Sequence, residues 1–192
     1  MPMTTRATEE PKFNVVRKLG DIELRNYAAY VVAEVLVEGP AEQAGNRAFP
    51  ILAGYIFGKN KGARKMEMTT PINQTAEPVK LEMTAPVTQT VTSGGFVVQF
   101  VLPKEVSLTN APEPLDPRIK LREVPPAELA VICYSGFWSD TNYNKHLALL
   151  RAGLKKANLA WEGEAVYSRY NAPFTPWFMR RNEIWLHLVD AH

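Results

Sequence analysis

The chain has few of the residues from which disulfide scaffolds and metal sites are built. Its 192 residues include one cysteine, Cys133, and three histidines, His146, His187 and His192. One cysteine excludes an internal disulfide, and its place in the apolar run 129–134 favours an inert buried thiol over a nucleophile. No histidine stands at metal-ligand spacing from another histidine or from Cys133, so we predict no metal site.

Long apolar runs and a strong net charge are also missing. No stretch approaches the roughly 18 apolar residues of a membrane-spanning helix, and the polar residues 1–11 lack the apolar centre of a signal peptide. The net charge of +2 argues against a nucleic-acid-binding protein, which would carry a basic face. We therefore expect a soluble, cytoplasmic monomer with a flexible N-terminus at 1–11 and with no membrane or nucleic-acid partner.

Motifs of the common catalytic sites are absent as well. The chain has no Gly-rich phosphate loop, nucleophile elbow or HExxH motif. Glu67 and Glu82 occupy equivalent places in a repeated motif and would suit an acid–base pair. They alternate with methionines along predicted strands, however, which favours solvent-facing carboxylates. We therefore predict no catalytic residue and expect a binding protein rather than an enzyme.

The repeated motif is the most distinctive feature that the chain does have. The pattern K-[ML]-E-M-T-[TA]-P occurs at 65–71 and again at 80–86. Alternating Met, Glu, Met and Thr predict a strand with one apolar face, ended by the proline. Met66, Met68 and Met83 then have two interpretations: core strand residues, which we favour, or a flexible surface for a flat apolar ligand.

A weak internal repeat with an offset of 97 residues divides the chain. Residues 22–25 resemble 119–122, and each segment precedes a strand-like run, a glycine and a helical stretch. Each half, 13–102 and 118–190, is predicted as β-β-α-β-β, and the Pro-rich residues 103–117 as an extended surface link. We predict one α+β domain over 12–190, in which two pseudo-symmetric halves close into a distorted barrel or a saddle.

Apolar spacing places two helices and their buried faces. The first is predicted over 41–57 and stops at Gly58, and the second is predicted over 141–158 with Ser139 or Asp140 as its cap. Strands are predicted at 66–72, 81–87 and 96–102 after the first helix, and at 165–171 and 183–189 after the second. The two apolar stripes comprise Ala44, Ala48, Leu52 and Tyr55, and then Tyr143, Leu147, Leu150, Leu154 and Ala157.

The segment 173–185 is unusually rich in aromatic residues and arginine. Its apolar side chains either plug one end of the barrel or wall a pocket, and the sequence leaves both alternatives open. Arg180 and Arg181 offer forked donors to a carboxylate. That carboxylate belongs either to an internal residue such as Glu183, which we favour, or to a ligand.

Several segments together resemble the SOUL/heme-binding protein family. They are IELRNY at 22–27, residues 45–58, both K-x-E-M-T-x-P copies, and RRNEIWL at 180–186. The resemblance covers about 13–189. It implies two halves that form a distorted antiparallel β-barrel flanked by two long helices. It also implies non-enzymatic binding of heme or another tetrapyrrole in an apolar groove beside the first helix, for carriage or buffering.

Carried over by position, the resemblance implies a cofactor site on the first helix and the C-terminal loop. Basic side chains are implied near the heme propionates, with Arg47 as the best partner by charge, and no metal ligand is assigned. The implied cofactor-binding residues are Asn46, Arg47, Phe49, Pro50, Leu52 and Ala53 on the helix, and Trp177, Phe178 and Met179 in the loop.

Two other functions remain open. Where animal members of the family place basic residues, this chain has Asn46, Gly54 and Pro176. This motivates an alternative, a sensor or binding module of GyrI-like type for a different flat apolar ligand. The third hypothesis is a hydrolase or dechelatase-type enzyme that uses Glu67 and Glu82.

Overall fold

A computed structural model describes residues 9–66, 69–77, 95–171 and 174–189. These residues form nine strands, two α-helices and one short 3-10 helix. None of the helices in these ranges is long and apolar enough to cross a membrane. In chain order the elements are β1 Phe13–Leu19, β2 Ile22–Tyr27, β3 Tyr30–Val37, α1 Ala41–Ile56, β4 Ile72–Glu77, β5 Gly95–Val101, β6 Lys120–Val124, β7 Ala127–Tyr134, α2 Asp140–Lys156, β8 Trp161–Arg169, the 3-10 helix Trp177–Met179, and β9 Asn182–Leu188.

All nine strands belong to one antiparallel sheet in the order β1-β2-β7-β9-β8-β4-β5-β3-β6. The predicted α+β class is therefore confirmed. The sheet is open, because within the described residues β1 pairs only with β2 and β6 pairs only with β3. The closed barrel is thus not confirmed, and the pseudo-symmetry of the two halves stays a prediction.

Strands of the two sequence halves are interleaved in the sheet. β2 pairs with β7 of the second half, from Ile22↔Ile132 to Tyr27↔Ala127. In turn, β6 pairs with β3 of the first half, and β4 joins β8 at the centre of the sheet. Neither half therefore completes its own sheet, and the inter-strand hydrogen bonds connect residues that are distant in the sequence.

The helix α1 packs on the outer face of the sheet, over β3 and β5. The four residues of its predicted apolar stripe have no exposed surface, which confirms the predicted buried face. The helix ends one residue earlier than predicted, and Gly58, with φ of +112°, lies in the left-handed region that suits glycine at a helix end.

The helix α2 packs on the same face of the sheet, over β7 and β9. Ser139 is its N-cap, and the Ser139 side chain accepts a hydrogen bond from the backbone N–H of Asn142. Asp140 lies in the first turn, and Lys155 and Lys156 lie in the last turn, where each charge is favourable for the helix dipole. The predicted stripe is buried at Tyr143, Leu147, Leu150 and Leu154, while Ala157 is the half-buried C-cap.

The strand predicted at 66–72 is largely wrong. Met66 and residues 69–71 are not in a strand, and β4 begins at Ile72, directly after a cis Thr70–Pro71 bond. Pro71 thus precedes a strand rather than ending one. Met66 is buried in the α1 core cluster, in agreement with a packing role. Glu67, Met68 and the second motif copy at 80–86, with Glu82, Met83 and the predicted strand 81–87, lie outside the described residues.

The link 103–117 is more than an extended surface connection. Val106 is buried in the α1 core cluster, and the Tyr55 hydroxyl donates a hydrogen bond of 2.7 Å to the carbonyl of Pro112. Asn60 forms an isolated β-bridge with Pro114. These contacts hold the link against the C-terminal end of α1, so it contributes to the fold of the first half.

Adjacent leucines of α2 provide a test of the packing. Leu150 has no exposed surface, whereas Leu149 is 51% exposed. Leu150→Ala should lower the free energy of unfolding by about 2–5 kcal/mol, because it leaves a cavity in the core. Leu149→Ala should change it by less than about 1 kcal/mol. Urea denaturation of both variants measures the difference, and equal effects would contradict the orientation of α2.

Candidate functional site: the outer face between the helices

The α1 residues implied by the resemblance divide into an exposed group and a buried group. Asn46, Arg47, Phe49 and Pro50 lie on the exposed side of the helix. In contrast, Leu52 and Ala53 belong to the core cluster beneath it. The exposed group can contact a ligand directly, and the buried pair supports the helix from below.

Arg47 is held by the turn that leads into α1. Its Nη1 donates to the carbonyl of Glu38 at 2.6 Å, and its Nη2 donates to Oε1 of Gln43 at 2.9 Å. The guanidinium occupies the space beside Gly39, where an added Cβ would lie 2.4 Å from Nη1. Arg47 therefore stabilises the β3–α1 turn while its side chain remains exposed.

The C-terminal loop presents the predicted aromatic surface. Trp177, Phe178 and Met179 form the 3-10 helix and are 50%, 62% and 64% exposed. The Trp177 ring stacks on Phe137 with a centroid distance of 5.5 Å, and the Trp177 carbonyl accepts a hydrogen bond from the Gly136 N–H. The loop is thereby fixed to the β7–α2 connection, with its apolar side chains turned to solvent.

Arg169 connects α1 with this loop. It lies at the end of β8, where its guanidinium stacks over Trp138 at 4.7 Å. Its Nη1 closely approaches Gly45 of α1, since an added Cβ there would lie 2.8 Å away. Arg180 stacks over Trp138 at 4.4 Å. We call this set, Gly45, Trp138, Arg169 and Arg180, the arginine bridge.

Sequence reasoning missed Phe137, Trp138 and Arg169 as members of this surface. Phe137 and Trp138 lie between a strand and a helix, and Arg169 ends a strand that carries no motif. Only the β4–β8 pairing, in which Arg169 faces Ile72, brings β8 next to the first half. No local sequence signal reports that pairing.

The inner face of the sheet holds a separate cleft of about 1050 Å³. Its apolar floor includes Tyr27, Leu129 and Trp185, which form their own buried cluster. Polar groups also line it, among them Gln99, whose Nε2 donates to Glu34 at 2.9 Å. The cleft lies on the opposite face of the sheet from the helices, so it is distinct from the surface between α1 and the C-terminal loop.

A buried carboxylate lies at one end of the inner face. Glu183 has no exposed surface and pairs with Arg25, which is 3% exposed, at 3.0 Å. Arg181 donates to the same carboxylate at 2.9 Å, which confirms the predicted internal partner. Further hydrogen bonds to Glu183 come from the Tyr170 hydroxyl at 2.7 Å and from Nε1 of Trp185 at 2.8 Å.

The N-terminal residues cover this carboxylate. Glu10 pairs with Arg181 at 2.9 Å, and the Phe13 ring lies 4.3 Å from the guanidinium carbon of Arg25. Burial alone would raise the pKa of Glu183, but Arg25, Tyr170, Arg181 and Trp185 outweigh it and lower the pKa below its ordinary value. The ionised carboxylate is therefore the form that the fold stabilises.

Cys133 is exposed, so the prediction of a buried thiol is wrong. Its Sγ donates a hydrogen bond to Glu183 at 3.2 Å. Partial burial and the charge of Glu183 raise the pKa of the thiol to about 11. Cys133 is thus protonated at neutral pH, in agreement with an inert cysteine.

The histidines lie apart from one another. His146 stacks on Tyr134 at 4.2 Å, with Nδ1 2.7 Å from the carbonyl of Asn142. His187 lines the inner cleft, where burial lowers its pKa, and His192 lies outside the described residues. Across the described ranges, no group of three or more His, Cys, Asp or Glu side chains is arranged to hold a metal ion.

A family model described as SOUL heme-binding protein matches residues 8–187, almost the whole chain. The chain belongs to the SOUL heme-binding protein family. Two relatives agree with this membership. Mouse Heme-binding protein 1 is 24% identical over 79% of this chain and 75% of its own length. Human Heme-binding protein 2 is 25% identical over 87% of this chain and 78% of its own length.

Solved structures share the fold of this SOUL protein at low sequence identity. The C-terminal domain of EcmrR has a TM-score of 0.64 and is 10% identical, over 88% of this chain and 98% of that one. A hydrolase from Listeria innocua has a TM-score of 0.57 and is 10% identical, over 88% and 92%. At such identity these similarities concern the fold alone.

Replacing the buried Glu183 should lower the free energy of unfolding far more than replacing an exposed glutamate. Glu183→Gln removes the charge opposite buried Arg25 and should cost about 3–5 kcal/mol in the free energy of unfolding. The control is Glu113→Gln, which removes an exposed ion pair with Lys61 and should cost at most about 1 kcal/mol. Urea denaturation at neutral pH compares the two.

A pH test compares the parent protein with Glu183→Gln. Because the pKa of Glu183 is lowered from 4.5, its contribution is complete above that pH and is lost as the pH falls through the lower pKa of the folded state. The stability difference between the parent protein and Glu183→Gln should therefore narrow below about pH 4.5. A difference that stays constant down to acid unfolding would contradict the assignment of an ionised Glu183.

Proposed function

We propose that this protein binds heme or a related tetrapyrrole without turnover, for carriage or buffering, on the outer face beside α1. Family membership supports a heme ligand. The main support for this binding location is the exposed apolar surface formed by Trp177, Phe178 and Met179. The arginine bridge connects this surface to α1. Apolar groups that remain exposed on a fixed loop favour a ligand-binding surface.

The chemistry of this surface suits a tetrapyrrole. Trp177, Phe178 and Phe49 present rings that can pack on a flat apolar macrocycle. Arg169 and Arg180 supply positive charge at the same surface, where anionic propionates can be neutralised. When bound, heme supplies its own iron chemistry, and the residues described here bind and orient the macrocycle.

The complete proposed site combines the two sets of residues that the resemblance implies. Asn46, Arg47, Phe49 and Pro50 form its α1 wall, with Leu52 and Ala53 in the support beneath. Trp177, Phe178 and Met179 form the opposite wall. The monomeric state and the cytoplasmic location of the protein are compatible with this function, and both remain predictions.

Hemin titration tests the function and its location together. The parent protein should show a saturable change of the Soret band at micromolar hemin. Phe178→Ala should weaken binding about ten-fold, because it removes a ring whose burial against the ligand is worth about 1.5–3 kcal/mol. Leu149→Ala, an exposed residue of α2, is the control and should bind like the parent. If the Soret band of the parent protein shows no saturable change with hemin, the proposed function is wrong.

The inner cleft supports a second candidate, a sensor or binding module for another flat apolar ligand. Its volume of about 1050 Å³ is sufficient for a drug-sized molecule, and Tyr27 and Trp185 contribute to its floor. Val97 also lines it, so Val97→Trp should obstruct it. If ligand recovered with the native protein is lost in Val97→Trp but kept in Phe178→Ala, the cleft rather than the outer face is the binding site.

A further inference from the structure

The inner cleft carries more negative than positive charge. In the described part of the chain, the carboxylates that line it are those of Glu34, Glu128, Glu162 and Glu164, against one basic side chain, Arg122. Arg122 is already paired, since its Nε lies 3.2 Å from Oε2 of Glu34. The other three carboxylates form no ion pair with a described lysine or arginine. A concave surface lined by charge of one sign attracts a ligand of the opposite sign.

His187 does not supply the missing positive charge. It lines the cleft and pairs across the sheet with Glu162. Burial lowers the pKa of its imidazole, so the ring is neutral at pH 7. The carboxylates on this side of the cleft therefore remain available to a cation from solution.

Gln99 places a hydrogen-bond acceptor in the same cleft. It is 9% exposed, and its Nε2 donates to Oε2 of Glu34 at 2.9 Å. Because a carboxylate only accepts, this bond fixes which end of the amide is the nitrogen. Oε1 is then an acceptor that has no hydrogen-bond partner among the described residues. A nearly buried carbonyl oxygen of this kind calls for a donor from outside the protein.

The register of the sheet places this acceptor beside an apolar row. Gln99 of β5 pairs with Asn73 of β4. Two residues away on the same strands, Val97 pairs with Thr75, and Thr75 pairs with Val166 of β8. Residues two apart on a strand share one face of the sheet, and all five line the cleft. A ligand that spans both rows therefore meets polar groups at one end and apolar groups at the other.

We propose that the inner cleft binds a protonated amine carried on an apolar body. This inference rests on the second candidate function, the use of the inner cleft as a binding site, and it does not require tetrapyrrole binding on the outer face. The ammonium N–H groups donate to Oε1 of Gln99 and to a carboxylate such as that of Glu162, and hydrogen bonds to charged groups are the stronger ones. The apolar body packs on Val97 and Val166.

A solvated acidic surface without a binding site predicts a different behaviour. Glu162 and Glu164 are exposed, and hydrated carboxylates attract any cation weakly, whether or not the cation carries N–H groups. A site built around the Gln99 oxygen instead distinguishes a cation that donates hydrogen bonds from one that does not.

Three probes of similar shape separate charge, hydrogen bonding and apolar contact. They are 2-naphthylmethylamine, protonated at pH 7, its trimethylammonium analogue, which has the charge without N–H groups, and the neutral 2-naphthalenemethanol. Isothermal titration calorimetry should show that the amine binds about ten-fold more tightly than the alcohol, the effect of a hydrogen bond to a charged group. The quaternary analogue should lie between the two.

Substitutions in the cleft test the assignment of each group. Glu162→Gln should weaken binding of the amine by up to about five-fold and leave the alcohol unchanged, as expected for an exposed charge. Gln99→Met should remove the preference for the amine over the quaternary analogue. Val97→Trp should weaken binding of all three probes. The matched control is Glu105→Gln, an exposed glutamate outside the cleft, which should bind like the parent.

Equal affinity of the parent for the amine and the alcohol would overturn the ligand class and leave the cleft as a site for a neutral apolar ligand. Equal loss of amine binding in Glu162→Gln and Glu105→Gln would also overturn it, as would a parent that binds none of the probes. These outcomes are independent of hemin binding, which the Soret titration measures separately.

Discussion

The buried carboxylate of Glu183 is the constraint on which the inner face of the sheet depends. A charge without exposed surface must be paired and hydrogen-bonded. Here the donors come from β2, β7, β9, the residue before β9 and the segment after β8. Satisfying one carboxylate therefore fixes the relative positions of several elements. It also anchors residues 10–13, since Glu10 and Phe13 cover the two arginines.

The two faces of the sheet have separate roles. On the inner face, the family segments 22–27 and 180–186 meet at the Arg25–Glu183 pair, so the most recognisable residues of the chain are structural. On the outer face, Arg169 and Arg180 are held near each other and near exposed aromatic rings. The arginines of the two faces differ in their partners. Arg25 and Arg181 pair with a buried carboxylate, whereas Arg169 pairs with none among the described residues.

Periodicity in the sequence was sufficient for the helices. The first predicted stripe is buried throughout, and the second is buried as far as Leu154 but not at Ala157. One apolar face of each helix packs on the sheet, as the spacing predicts. Local patterns were not sufficient for β4, which starts after Pro71 rather than before it. Local patterns also could not predict that the sheet is open, or that β2 and β6 each pair with a strand of the other half. Both features depend on pairings between residues that are distant in the sequence. The contact between Arg169 and Gly45 depends on the same β4–β8 pairing.

We propose that the outer face, and not the inner cleft, binds the tetrapyrrole. Amide chemical-shift mapping with zinc protoporphyrin tests it most directly, because the porphyrin ring current shifts nearby amides and zinc adds no paramagnetism. Binding on the outer face should give the largest shifts at residues 45–50, at Arg169 and at 177–180. Largest shifts at Thr75, Val97 and Trp185, which line the inner cleft, would contradict it.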